Sequence, residues 1–101
     1  YSNLFSGMID DWRSAWGSDL PFYFAQIAPF EYDKELNSES LRESQRKVLG
    51  KVKKTGMAIL LDIGEKEDIH PENKKDVGER LSLHALKNQY NIKIEASGPL
   101  Y

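Results

Sequence analysis

Among the residues able to do acid–base chemistry, His70 stands out by its neighbours. It follows two acids in the run Glu67-Asp68-Ile69-His70-Pro71. A carboxylate two or three residues before a histidine can accept a hydrogen bond from one ring nitrogen, fix the tautomer and stabilise the imidazolium. The other nitrogen is then free to take a proton from a serine hydroxyl. The same residues also admit a plainer role. His70 can cap or pack against the helix that follows, with the acidic run a solvated loop that favours that helix's positive start. A calcium or magnesium loop fits less well, because the acids lack the alternating ligand spacing and turn glycine of an EF-hand.

The remaining candidates are weaker. His84 shares a helical face with Val77 and Leu81, which marks a packed structural histidine. Gly17-Ser18-Asp19-Leu20 has the letters of a Gly-Asp-Ser-Leu nucleophile block with serine and aspartate transposed, and reads as a turn. There is no Gly-x-Ser-x-Gly elbow. Gln26, polar within an apolar run, is expected to bond to backbone. Trp12 and Trp16 fall on an apolar helical stripe and are assigned to the core rather than to sugar stacking.

The elements that must position these groups alternate. A helix is predicted over about Asn3 to Trp16, where Leu4, Met8 and Trp12 recur every fourth residue beside Phe5, Ile9 and Trp16. Gly17 ends it. The unalternating apolar run Phe22 to Ala28, bracketed by Pro21 and Pro29, suits a strand buried on both faces of a parallel sheet. Asn37 to Lys54 reads as a second helix, with Ser40 and Glu43 in capping-box spacing, Lys51, Lys53 and Lys54 near its negative end, and Gly56 as its breaker. Met57 to Ile63 is a second buried strand, closed by Gly64. A third helix is expected over about Asn73 to Tyr90, with a short strand around Ile92 to Glu95.

This order is the α/β signature, with a parallel strand–helix–strand crossover. Ligands in such sheets gather at the carboxyl ends of the strands. Asp62 to Asn73, the segment that contains His70, lies at such an end. Two parallel strands make no stable sheet alone, so further strands must come from other residues or another chain. An open sheet edge and face also predict self-association.

Composition narrows the function classes. A chain of 101 residues holds one modest core. With 30% charged residues and a net charge of -2, there is no electrostatic case for nucleic acid or an anionic membrane. No apolar run approaches the ~20 residues of a membrane span. Cysteine is absent, which excludes disulfides and thiolate chemistry. The start, Tyr1-Ser2-Asn3-Leu4-Phe5, reads as a chain entered partway through.

Several blocks together resemble one family. Leu20-Pro21-Phe22-Tyr23-Phe24-Ala25-Gln26-Ile27-Ala28-Pro29, Thr55-Gly56-Met57-Ala58, Leu61-Asp62-Ile63-Gly64, Asp68-Ile69-His70-Pro71-Glu72-Asn73-Lys74 and Ser97-Gly98-Pro99-Leu100-Tyr101 are similar to blocks of the bacterial sialate O-acetylesterases, in order and across nearly the whole chain. These belong to the SGNH hydrolase superfamily. The resemblance implies the C-terminal portion of a three-layer α/β/α (flavodoxin-like) sandwich with a parallel sheet, residues 1–101 being one fragment of a single domain. It implies removal of acetyl esters from sialic acid or related glycans by a serine nucleophile, with no metal or organic cofactor. It makes His70 the catalytic histidine. Its acid partner is Asp68 by the local block, or Glu67 by the superfamily's three-residue spacing. Export to the periplasm or outside the cell follows from the resemblance alone.

The family's Gly-x-Ser nucleophile block, oxyanion glycine and Gly-x-x-Asn-type block have no counterpart here. The expected partners are therefore an acetylated carbohydrate and the remainder of a parent domain, and the fragment alone is expected to be inactive. The alternative, from another class, is a non-catalytic carbohydrate-binding or interaction module that keeps the fold.

Overall fold

The computed structural model describes residues 2–28, 38–64 and 72–98. Five elements follow in order: α1 (Ser2–Trp16), β1 (Phe22–Ala25), α2 (Ser38–Lys51), β2 (Thr55–Ala58) and α3 (Lys74–Asn88). The two strands pair in parallel, with Phe22 opposite Thr55 and Ala25 opposite Ala58. The α/β class with a parallel sheet is as expected from the alternation of elements.

Three layers result from the two faces of this sheet. Successive strand residues point to opposite faces. Phe22, Phe24 and Met57 join Ile9 of α1 with Val48 and Val52 on one side. Ala25 and Ala58 meet Leu60, Ile63 and the α3 residues Val77 and Leu81 on the other. Ile9 and Val48 are wholly buried, and Phe5 stands edge-on to both Phe22 and Phe24. The α3 face of the strands carries the small residues Ala25, Gly56 and Ala58 beside Tyr23, whereas phenylalanines fill the α1 and α2 face.

Several expectations are corrected. The strands are shorter than the apolar runs. The last ladder bond runs from Gln26 N to Ala58 O, after which the Ile27 N–H donates to the Gln45 side chain, so among the described residues neither run has a strand partner beyond that point. Ile92 to Glu95 forms no strand. Ser40 lies inside α2 rather than at its cap, and Glu43 pairs with Arg46 instead. Gly56 does not end α2. The chain reverses at Lys54, with φ 55°, while Arg13 donates to the carbonyls of Lys53 and Lys54. Gly17, at φ 70°, does terminate α1.

The α1 stripe is the largest correction. Leu4 is 81% exposed, Trp16 75% and Trp12 53%. Two strands about 4.8 Å apart cannot cover the whole apolar arc of a helix roughly 10–12 Å across. Only the sector of Phe5, Met8 and Ile9 is packed, although the edge of Trp12 still meets Phe22. The third helix stops at Asn88, short of the expected Tyr90, and Tyr90 is likewise exposed.

Candidate functional site

Both strands run the same way, so their carboxyl ends open on one side of the sheet. Beyond β2 the chain turns at once, the Ile63 N–H donating to Leu60 O. Burial of Leu60 and Ile63 against Val77 and Leu81 draws this turn onto α3. Asp62, between them, points outward.

Arg80 closes the turn. One guanidinium nitrogen donates to Ile59 O at 2.7 Å and to Asp62 Oδ1 at 2.6 Å, and the other donates to Asp62 Oδ2 at 2.7 Å. The fork therefore takes both carboxylate oxygens and a main-chain carbonyl at the end of the strand. The Arg80 hydrogen bond, helped by one from its own backbone, holds the Asp62 carboxyl below its usual range, and the same pairing raises Arg80.

On the far side of the predicted catalytic segment, Asn73 caps α3. Its Oδ1 accepts from Asp76 N at 3.2 Å, and its Nδ2 donates to Asp76 Oδ2 at 2.8 Å. An acid in this first turn suits the helix dipole. The two flanks of residues 65–71, the turn after β2 and the Asn73 cap, are thus both fastened to α3. His70, Asp68 and Glu67 lie outside the described residues.

A cavity of about 340 Å³ adjoins the turn, lined by Ile59, Asp62, Arg80, Ser97 and Gly98 among others. A larger concavity of about 570 Å³ lies beside Asp10, Arg13, Lys51 and Lys54, at the amino end of β2. Parallel sheets of this kind bind ligands at the opposite end, so the smaller cavity is the better placed. Among the described residues, no group of three or more histidines and acids could hold a metal ion. No helix among them is long and apolar enough to cross a membrane.

His84 is buried, as its helical face implied. Its Nε2 lies 3.0 Å from Met57 O, and since a carbonyl can only accept, this nitrogen carries the proton. The ring stacks on Tyr23 with centroids 5.8 Å apart and lies over Gly56. It is a sheet-packing residue, away from the carboxyl edge. Ser18 is in the turn after α1, its N–H donating to Arg13 O. Gln26 Nε2 donates to Arg42 O at 3.4 Å, the expected backbone bond, while its buried Oε1 has no partner among the described residues.

Sequence reasoning missed Arg80 and Gln45. For Arg80 a signal existed: an acid just after a strand, and an arginine two turns into the next helix, face each other in a strand–turn–helix unit. For Gln45 there was none.

No family model and no curated protein sequence matches the chain. The fold does match a solved structure, that of a novel carbohydrate acetylesterase from Xanthomonas citri. The TM-score is 0.88 and the sequence identity 42%, over 98% of this chain and 24% of that one. The chain therefore spans about a quarter of the length of the protein it resembles.

Proposed function

We propose that this chain is the part of a serine carbohydrate esterase that supplies the catalytic base, acting on O-acetylated sugars. The observation that carries this reading is the 42% identity over 98% of the chain to a carbohydrate acetylesterase. Sialic acid or a related acetylated glycan is the narrower substrate, on the block resemblance above. In this reading His70 takes the proton of a serine hydroxyl contributed by the rest of the parent. The serine oxygen attacks the acetyl carbonyl, and the histidine returns the proton to the departing sugar oxygen. Water then attacks the acetyl-enzyme with His70 again as base, releasing acetate. Asp68, or Glu67 in its place, accepts from the other ring nitrogen and stabilises the imidazolium. The chain alone, without nucleophile or oxyanion donors, turns nothing over.

The test is His70→Ala in the full-length parent, assayed on an acetylated sugar. The expected loss is about 10²–10⁴-fold in rate with the fold retained, and Asp68→Asn should lose less. Near-normal turnover by a well-folded His70→Ala enzyme refutes the reading and leaves a non-catalytic carbohydrate module. A larger loss for Glu67→Gln than for Asp68→Asn reassigns the acid.

A further inference from the structure

We infer that the cavity at the carboxyl end of β2 is a subsite for an uncharged pyranose ring, held through its hydroxyls by Asp62 and Arg80. The inference rests on the carbohydrate-esterase reading above and narrows its substrate to a neutral sugar. Three separate stretches of chain build the cavity. Ala58 and Ile59 come from the end of β2, and Arg80 comes from α3. The chain after α3 supplies the third side. It reverses at Asn91, with φ 55°, the Ile92 N–H donates to Leu86 O, and Ala96 and Ser97 return to the same end of the sheet. The volume of about 340 Å³ lies at the lower end of the range for small-ligand sites, roughly 300–1,000 Å³, which suits one ring rather than a long chain.

The lining is divided as a sugar ring is. Ala58, Ile59 and Ala96 offer apolar contact for ring C–H groups, and Asp62 and Arg80 form a polar wall. The fork takes three of the five guanidinium N–H groups, and each Asp62 oxygen accepts one of its bonds. Both side chains therefore keep hydrogen-bonding capacity at the cavity they line. A carboxylate oxygen beside a guanidinium N–H offers an acceptor next to a donor, the complement of two adjacent hydroxyls, and such charge-assisted bonds are the strong ones. The bond from Arg80 to Ile59 O holds the pair against the strand end before any ligand arrives. The two charges also cancel. This wall thus bonds a neutral ring without a net field. A sugar carboxylate, as in sialic acid, finds no unmatched cation among the residues lining the cavity and meets Asp62 as a like charge.

The experiment measures kcat and KM of the full-length parent on mono-O-acetyl methyl glucoside, galactoside and xyloside, on O-acetyl sialic acid, and on p-nitrophenyl acetate, which has no ring. At least one neutral glycoside should be used with a higher kcat/KM than the sialate. Asp62→Asn should raise KM for that glycoside about tenfold, the scale of one charge-assisted hydrogen bond. Its kcat should change less, and the KM rise should be several times that on p-nitrophenyl acetate. The same substitution leaves the Arg80 charge unmatched. The ratio of sialate to glycoside kcat/KM should therefore rise by about tenfold or more, a shift that a purely structural role of Asp62 does not produce. Ser97→Phe, which fills the cavity from an exposed position, should raise KM for the glycoside likewise, and decides the matter if Asp62→Asn fails to fold. An unchanged glycoside KM in folded Asp62→Asn overturns the inference, as does an equal rise on p-nitrophenyl acetate or a wild-type preference for the sialate. A parent that deacetylates no sugar sinks the esterase reading and this one with it. A parent that deacetylates neutral sugars just as well with Asp62 replaced sinks the subsite alone.

Discussion

Replacing Gly56 with alanine should damage the α3 face of the sheet far more than one methyl group implies. A Cβ at this position would lie 2.6 Å from His84 Nδ1, 2.8 Å from its Cγ and 2.9 Å from Tyr23 Cδ1, where ordinary contact begins at 3.4 Å. None of these atoms is the far end of a flexible side chain, and His84 is held from its other side by Met57 O. Overpacking of this sort costs about 1–3 kcal/mol. Pushing the imidazole aside also leaves the Met57 carbonyl buried without its donor, about 1–3 kcal/mol more. Against this stands roughly 0.5–1 kcal/mol gained by removing a glycine from a strand interior. The net loss should be roughly 1–5 kcal/mol by this accounting. Urea unfolding of the chain, followed by far-UV circular dichroism, measures it. The mechanism is checked by repeating the substitution in a His84→Ala background, where two of the three close atoms are gone and the cost should shrink by at least about 1 kcal/mol. An equal cost in both backgrounds, or a Gly56→Ala protein as stable as wild type, would refute the reasoning.

Two further outcomes follow from the structure. Asp62 has its folded-state pKa lowered below 3.8 by Arg80, so the pair's contribution is present above that value and is lost as pH falls through the folded pKa. Because the pair is exposed its contribution is small, so the melting temperatures of wild type and Asp62→Asn should differ by little near neutrality and converge in acid, and a gap that widens on acidification would contradict the pairing. Leu4 and Trp16 are 81% and 75% exposed, so Leu4→Glu with Trp16→Glu should leave thermal stability nearly unchanged while reducing self-association of the isolated chain in sedimentation velocity. Association that persists at wild-type strength would place the sticky surface elsewhere, such as the open edges of the sheet.

The local pattern of this chain determined the order of its elements and their types, because periodicity and punctuation act within a few residues. The bracketed apolar run after Pro21 and the glycine at position 17 each did so through local residue preferences. His84 was also legible, since its row with Val77 and Leu81 defines a buried face whatever the partner. Boundaries that depend on pairing were not legible. Ile27 could have continued a strand, but a glutamine from α2 took its N–H. Lys54 rather than Gly56 turned the chain, because Arg13 on a distant helix holds the two carbonyls there. The α1 stripe shows the same limit from the other side. Its amphipathic spacing marks Leu4, Trp12 and Trp16 as apolar, but whether an apolar residue is covered depends on how much sheet lies beneath it, and here two strands reach only Phe5, Met8 and Ile9. For the candidate site, the sequence supplied the acids and the histidine in one short run. Only the packing of the β2 turn on α3 brought Asp62 and Arg80, 18 residues apart, into a bidentate pair at 2.6 and 2.7 Å. A fork of that kind requires two elements to meet at a fixed angle, which the spacing of residues along one chain does not encode.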